Sequence, residues 1–132
     1  MKNLFFSIAL LGSAFWAQGQ QLALQTAPEG NPSPKWEKTV INLGKVKRNQ
    51  PATAVFSFTN TGGGALVITE VKPSCSCTVP QYTKEPVGTG KKGTVKAEYD
   101  AKNLGSFHKT ITVYSNAESG AETLTFQGEV VE

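Results

Sequence analysis

A chain of 132 residues with 13 basic and 10 acidic side chains carries a net charge of +3. That length bounds it to one domain, and so small a charge leaves no electrostatic footprint for nucleic acid. One histidine and two cysteines are too few for a structural zinc site, which takes four side chains.

Residues 1–19 have the make-up of an export signal. Lys2 supplies the positive start, residues 4–11 (Leu-Phe-Phe-Ser-Ile-Ala-Leu-Leu) form an apolar core, and Ala17 and Gly19 place small side chains at −3 and −1 of a cut before Gln20. The apolar run falls short of the roughly 20 residues needed to cross a bilayer. The expectation is therefore a cleaved signal and a protein exported to the periplasm or beyond the cell, with no membrane insertion after cleavage. No cysteine follows the apolar core, so a lipid cannot be attached at a processed N-terminal Cys. Loss of residues 1–19 removes Lys2 alone and leaves 12 basic against 10 acidic side chains. Lys45, Lys47 and Arg48, and the Lys91–Lys92 pair, suit solvated turns and strand edges better than a nucleic-acid surface.

Residues 20–35 hold Pro28, Gly30, Asn31, Pro32, Ser33 and Pro34, a composition that favours an extended linker. The folded domain is expected over residues 36–132, and its apolar pattern repeats every two residues. Residues 39–43 make a short first strand with Ile41 and Leu43 on one side. Phe56 and Phe58 share a face in residues 54–59. The alternation returns with Leu66 and Ile68, with Val95, Ala97 and Tyr99, with Ile111 and Val113, and with Leu124 and Phe126. Such runs mark strands with one buried and one wet face, and their Val, Ile and Thr suit strand geometry. A weaker strand spans residues 79–82. Glycine-rich or polar stretches separate the runs: 60–64, 88–93, 100–105 and 116–120, the first able to take positive φ at its glycines. About seven strands at this spacing predict an all-β immunoglobulin-like sandwich.

No nucleophile-elbow motif, paired histidines or phosphate-cradling loop before a helix occurs. The chain is accordingly read as no enzyme, with no cofactor. Its expected role is binding or scaffolding an unidentified envelope or extracellular protein, in an oligomeric state the sequence leaves open. Edge-strand pairing is the mode the architecture offers.

The chemistry-bearing candidates are Cys75 and Cys77. Export puts them where disulfides persist. Extended residues two apart lie about 6–7 Å between Cα atoms, so a turn is needed to join them. The chain-entropy model gives at most about 1.6 kcal/mol for so short a loop. Such a bond contributes little stability and is expected to be readily reduced, as a redox-active pair is. The alternative is a soft metal ion: two thiolates could hold Cu(I), with His108 as third ligand. A third reading gives the pair no chemistry beyond shaping a turn. His108, out of phase with Ile111 and Val113, belongs to the solvent side of its strand, and Trp36 is expected to plug one end of the sandwich.

The segment Phe56-Ser57-Phe58-Thr59-Asn60-Thr61-Gly62, followed by Ser74-Cys75-Ser76-Cys77-Thr78, resembles an exported bacterial domain family of unknown function, number 1573. That family carries a Phe-x-Phe-x-Asn-x-Gly strand end and a Ser-Cys-Gly-Cys-Thr motif. Tyr99-Asp100, Gly105-Ser106-Phe107, Val113-Tyr114-Ser115-Asn116 and residues 124–130 extend the resemblance from about Trp36 to Val131. It implies an immunoglobulin-like sandwich, distantly similar to domains of cilium and centrosome proteins, and implies no activity. Ser76 stands where the family has Gly. If that position took positive φ, serine would be strained there.

Overall fold

The computed structural model describes residues 30–132. The expected export signal and most of the expected linker lie outside the described residues. Eight strands follow in order: β1 (Pro34–Trp36), β2 (Val40–Lys47), β3 (Ala52–Asn60), β4 (Ile68–Pro73), β5 (Thr78–Tyr82), β6 (Lys92–Tyr99), β7 (Gly105–Ser115) and β8 (Ala121–Val131). They form two four-stranded sheets, ordered β1-β3-β6-β5 and β2-β8-β7-β4. All pairings are antiparallel except β2 with β8. This is the immunoglobulin arrangement, with the first strand divided between the two sheets. No helix among the described residues is long and apolar enough to cross a membrane.

The core follows the alternation. Ala54, Phe56 and Phe58 of β3, Val95, Ala97 and Tyr99 of β6, Ile111 and Val113 of β7, and Leu124 and Phe126 of β8 all point inward and are buried. Aromatic rings join the sheets where Tyr99 stacks on Phe107 with centroids 4.4 Å apart; within one sheet, Trp36 meets Phe58 at 4.9 Å. Trp36 is partly buried against the core, and its indole N–H has no hydrogen-bond partner.

Two strands change phase, which pure alternation misses. In β2 the inward positions run Ile41, Leu43, then Val46, because the register with β8 shifts between Asn42 and Lys45. Gly44 carries that bulge at φ 68, a conformation open to glycine at little cost. In β4 the shift falls between Ile68 and Glu70, so Val71 faces inward after Ile68. The eighth strand, β1, is three residues long, too short for periodicity to reveal. It pairs Pro34 with Asn60 and Trp36 with Phe58, and Pro32 just before it is buried. The sandwich thus begins within the proline-rich stretch, where proline at a sheet edge lacks only a donor that is not needed.

Candidate functional site

The strands carry their loops to two opposite ends. At one end, β3 finishes on Asn60, whose side chain is fully buried at 0% exposure. Its Oδ1 accepts from the backbone N–H groups of Ser33 (3.2 Å) and Gly62 (3.0 Å). Its Nδ2 donates to the carbonyls of Gly64 (2.7 Å) and Val87 (2.8 Å). One amide thereby ties the chain before β1, the β3–β4 loop and the segment before β6 together. The neighbouring glycines do not serve the role their sequence suggested. None of Gly62, Gly63 and Gly64 takes positive φ. Gly62 is instead needed for space, since a Cβ there would collide with the backbone of Asn31 and Ser33. Asn116 closes the same end from the other sheet: Oδ1 accepts from Val67 N–H (2.8 Å) and Nδ2 donates to Ala65 carbonyl (3.0 Å).

At the other end, β4 leaves one sheet at Pro73 and β5 enters the other at Thr78. Between them the chain turns sharply. Ser74 N–H donates to Thr110 carbonyl (2.8 Å), and Thr110 N–H donates back to Ser74 Oγ (3.1 Å), anchoring the turn on β7. Thr78 N–H reaches Cys75 carbonyl at 3.4 Å, and Asp100 N–H donates to Cys77 carbonyl at 3.0 Å. The turn brings the Cα atoms of Cys75 and Cys77 to 5.3 Å, and their sulfurs are joined in a disulfide. Both cysteines are partly exposed, and Cys77 packs against the core. Ser76 is exposed and has no positive φ, so the strain that serine would suffer in a left-handed glycine position does not arise. The non-glycine residues that take positive φ at this end are Asn49 (61°) and Ala101 (53°), joined by a 2.9 Å bond from Asn49 N–H to Ala101 carbonyl.

Thr78 sits at the foot of the turn and is 4% exposed. Its Oγ1 lies 3.7 Å from Cys75 Sγ and 3.9 Å from Cys77 Sγ. A disulfide sulfur carries no hydrogen, so in both contacts the hydroxyl is the donor. Among the described residues it has no other hydrogen-bond partner. Nothing about composition or period singles out Asn60 or Thr78. Their only sequence signal is their place in the two motif segments.

His108 does not join the cysteines. It lies exposed on β7, opposite Gln127 of β8, at the border of an open groove lined also by Asn42, Lys45 and Glu129. Among the described residues no three His, Cys, Asp or Glu side chains gather in a metal-holding group. With its sulfurs bonded to each other, the pair has no thiolate to offer a soft ion until it is reduced. Among the described residues one titrating group departs clearly from its ordinary behaviour: burial, and secondarily the Asp100 carboxylate, push the Tyr99 phenol above its usual value.

The sequence profile of the family described as Protein of unknown function (DUF1573) matches residues 34–130. The chain belongs to this family. No curated protein matches the sequence. Among solved structures, this DUF1573 domain is similar to a protein of unknown function from Porphyromonas gingivalis W83, at TM-score 0.67 and 15% identity. The alignment covers 83% of this chain and 51% of that one, so the chain spans about half the length of that relative. It is also similar to the seventh PapD-like (ASH) domain of human CEP192, at TM-score 0.58 and 7% identity over 77% of this chain and 87% of that domain. The Vibrio cholerae VesB protease aligns at TM-score 0.57 and 18% identity over 75% of this chain, but over only 32% of the protease. Likeness at these identities establishes the shared immunoglobulin-like and PapD-like sandwich and carries no activity with it.

Proposed function

We propose that this DUF1573 domain is an exported, non-catalytic module that binds a protein of the cell envelope or extracellular space along an open sheet edge. The observation that carries the reading is the edge of β3. β1 pairs with β3 only at residues 58–60, and Glu37 N–H adds one bond to Ser57 carbonyl. Among the described residues, no strand pairs with residues 52–56 on that side, and Val55 there is 46% exposed. Unpaired backbone donors and acceptors beside an exposed apolar side chain suit an added strand. Two other edges carry interruptions: β5 has Pro80, and β2 has Lys45, Lys47 and a bulge, although Val79 and Val40 are also exposed there.

A photo-crosslinking residue at Val55, introduced in the exporting cell, tests this. The expected result is one adduct of discrete mass, absent when the crosslinker is moved to Gln81 on the proline-bearing edge. No adduct at Val55, or the same adducts from both sites, would remove the edge from consideration.

A second reading, thiol chemistry at Cys75 and Cys77, is favoured by the disulfide itself, which closes a loop too short to add much stability. Titration of thiols in native protein with and without glutathione, and Cu(I) competition after reduction, compare redox and copper roles. A Cys75→Ser/Cys77→Ser variant unchanged in cells and in copper content would end both.

A further inference from the structure

We propose that the Cys75–Cys77 disulfide exchanges with cysteine thiols, and that the Thr78 hydroxyl holds the thiolate that departs. The inference rests on the thiol reading above and adds a positioning residue to it.

The carrying observation is a mismatch between donor and acceptor. Thr78 is 4% exposed, and its hydroxyl donates only toward the two sulfurs, at 3.7 and 3.9 Å. A neutral disulfide sulfur is a weak acceptor, so a buried hydroxyl aimed at it is poorly satisfied. A thiolate at the same place is an ionised acceptor, and hydrogen bonds to ionised groups are roughly twice as strong as neutral ones. The donor therefore gains most when the S–S bond is open and one sulfur carries charge. It is already in place, on the first residue of β5, where pairing of Thr78 with Tyr99 holds the backbone.

The packing of the two cysteines assigns the direction. Both are partly exposed, but Cys77 packs against the core and Cys75 lies outside that packing. An incoming thiolate R–S⁻ attacks Cys75 Sγ. The Cys75–Cys77 bond breaks, its electron pair leaves on Cys77 Sγ, and Thr78 Oγ1–H turns onto the new thiolate. A mixed disulfide R–S–S–Cys75 results. A second thiolate attacks the R-group sulfur, releases R–S–S–R and leaves Cys75 as thiolate. Two thiols are oxidised, the protein pair is reduced by two electrons, and the two protons given up by the thiols are taken by Cys75 and Cys77 as pH dictates. Lowering the energy of the departing thiolate speeds the first step, because exchange rates rise as the leaving thiol becomes more acidic. The substrate class is a cysteine thiol, whether of a small monothiol or of a protein segment.

The test uses the processed protein, oxidised, with reduced glutathione in one arm and a short unstructured peptide bearing one cysteine in the other. Exchange is read as the rate of disulfide opening and as the equilibrium with glutathione. In wild type both are measurable under native conditions. Thr78→Val keeps the volume and removes the donor. It should slow opening by roughly tenfold, and move the pH profile of iodoacetamide alkylation of the reduced protein to higher pH. Thr78→Ser should restore both, and Thr78→Ala replaces Thr78→Val if the latter does not fold. Wild-type exchange with unchanged rate and pH profile in the hydroxyl-free variants would overturn the role of Thr78 and leave the thiol reading standing. A wild-type disulfide inert to both thiols under native conditions would overturn the thiol reading, and this inference with it. Faster exchange with the peptide than with glutathione identifies a protein thiol as the substrate, and the reverse a small one.

Discussion

Asn60, at the end of the sandwich where β3 gives way to β4, and Thr78, at the end where β4 crosses to β5, are, among the described residues, the two buried polar side chains other than the Tyr99 phenol. Asn60 satisfies its whole amide, two bonds accepted and two donated, all with backbone groups of three separate segments. Thr78 is nearly as buried, yet its hydroxyl meets only two sulfurs. A polar group desolvated on folding must find a partner or carry a penalty. At the first end the partners are the loops themselves, so the motif there is architectural. At the second the partner is a disulfide, and the proposed opening of that bond would give the hydroxyl a stronger acceptor than it has at rest.

This contrast can be broken most directly at Asn60. Asn60→Ala should lower stability by about 3 kcal/mol, since it strands backbone groups of three segments at once, the Val87 carbonyl among them buried. A urea titration shift smaller than that of an exposed site would refute the architectural role. The disulfide end should be far more tolerant. Cys75→Ser/Cys77→Ser is expected to lose at most about 1.6 kcal/mol, the entropy of a three-residue loop, by the same titration.

Tyr99, at the disulfide end of β6, sharpens the comparison through pH. Its phenol is held above the ordinary value of 10.0 by burial first and by Asp100 second. The unfolded chain therefore releases this proton earlier on the alkaline side. The corresponding stabilisation is complete below pH 10.0 and is lost as pH rises through the folded value. Urea midpoints measured on either side of that range should fall in wild type and fall less in Tyr99→Phe. The smallest effect is expected from Ser76→Gly. Because Ser76 has no positive φ, installing the glycine of the family motif relieves nothing, and greater freedom of the unfolded chain should cost about 0.5 kcal/mol. A gain in melting temperature would show that the turn prefers glycine after all.

Much of the fold could be read in one dimension. Phe56 and Phe58, Val95 and Ala97, and Leu124 and Phe126 alternate with polar residues because a sheet with one wet face demands a period of two, and each of them is buried. The two motif segments hold both Asn60 and Thr78, one at each end. What alternation could not reveal is where the period slips. Gly44 and the irregularity after Ile68 shift β2 and β4 by a residue, and a bulge is decided by the partner strand. The three residues of β1 are no longer than a turn, so only Asn60 and the edge of β3 define them.

By itself, then, the sequence determined the fold class and the inward residues of the long strands, because these depend on local period and local composition. Only the tertiary structure decided that Cys75 and Cys77 cross from one sheet to the other, that His108 stands apart from them on β7, and that a threonine hydroxyl is buried against their sulfurs. Those facts depend on which strands become neighbours, and burial of the hydroxyl follows from packing two sheets face to face rather than from any property of residues 74–78 alone.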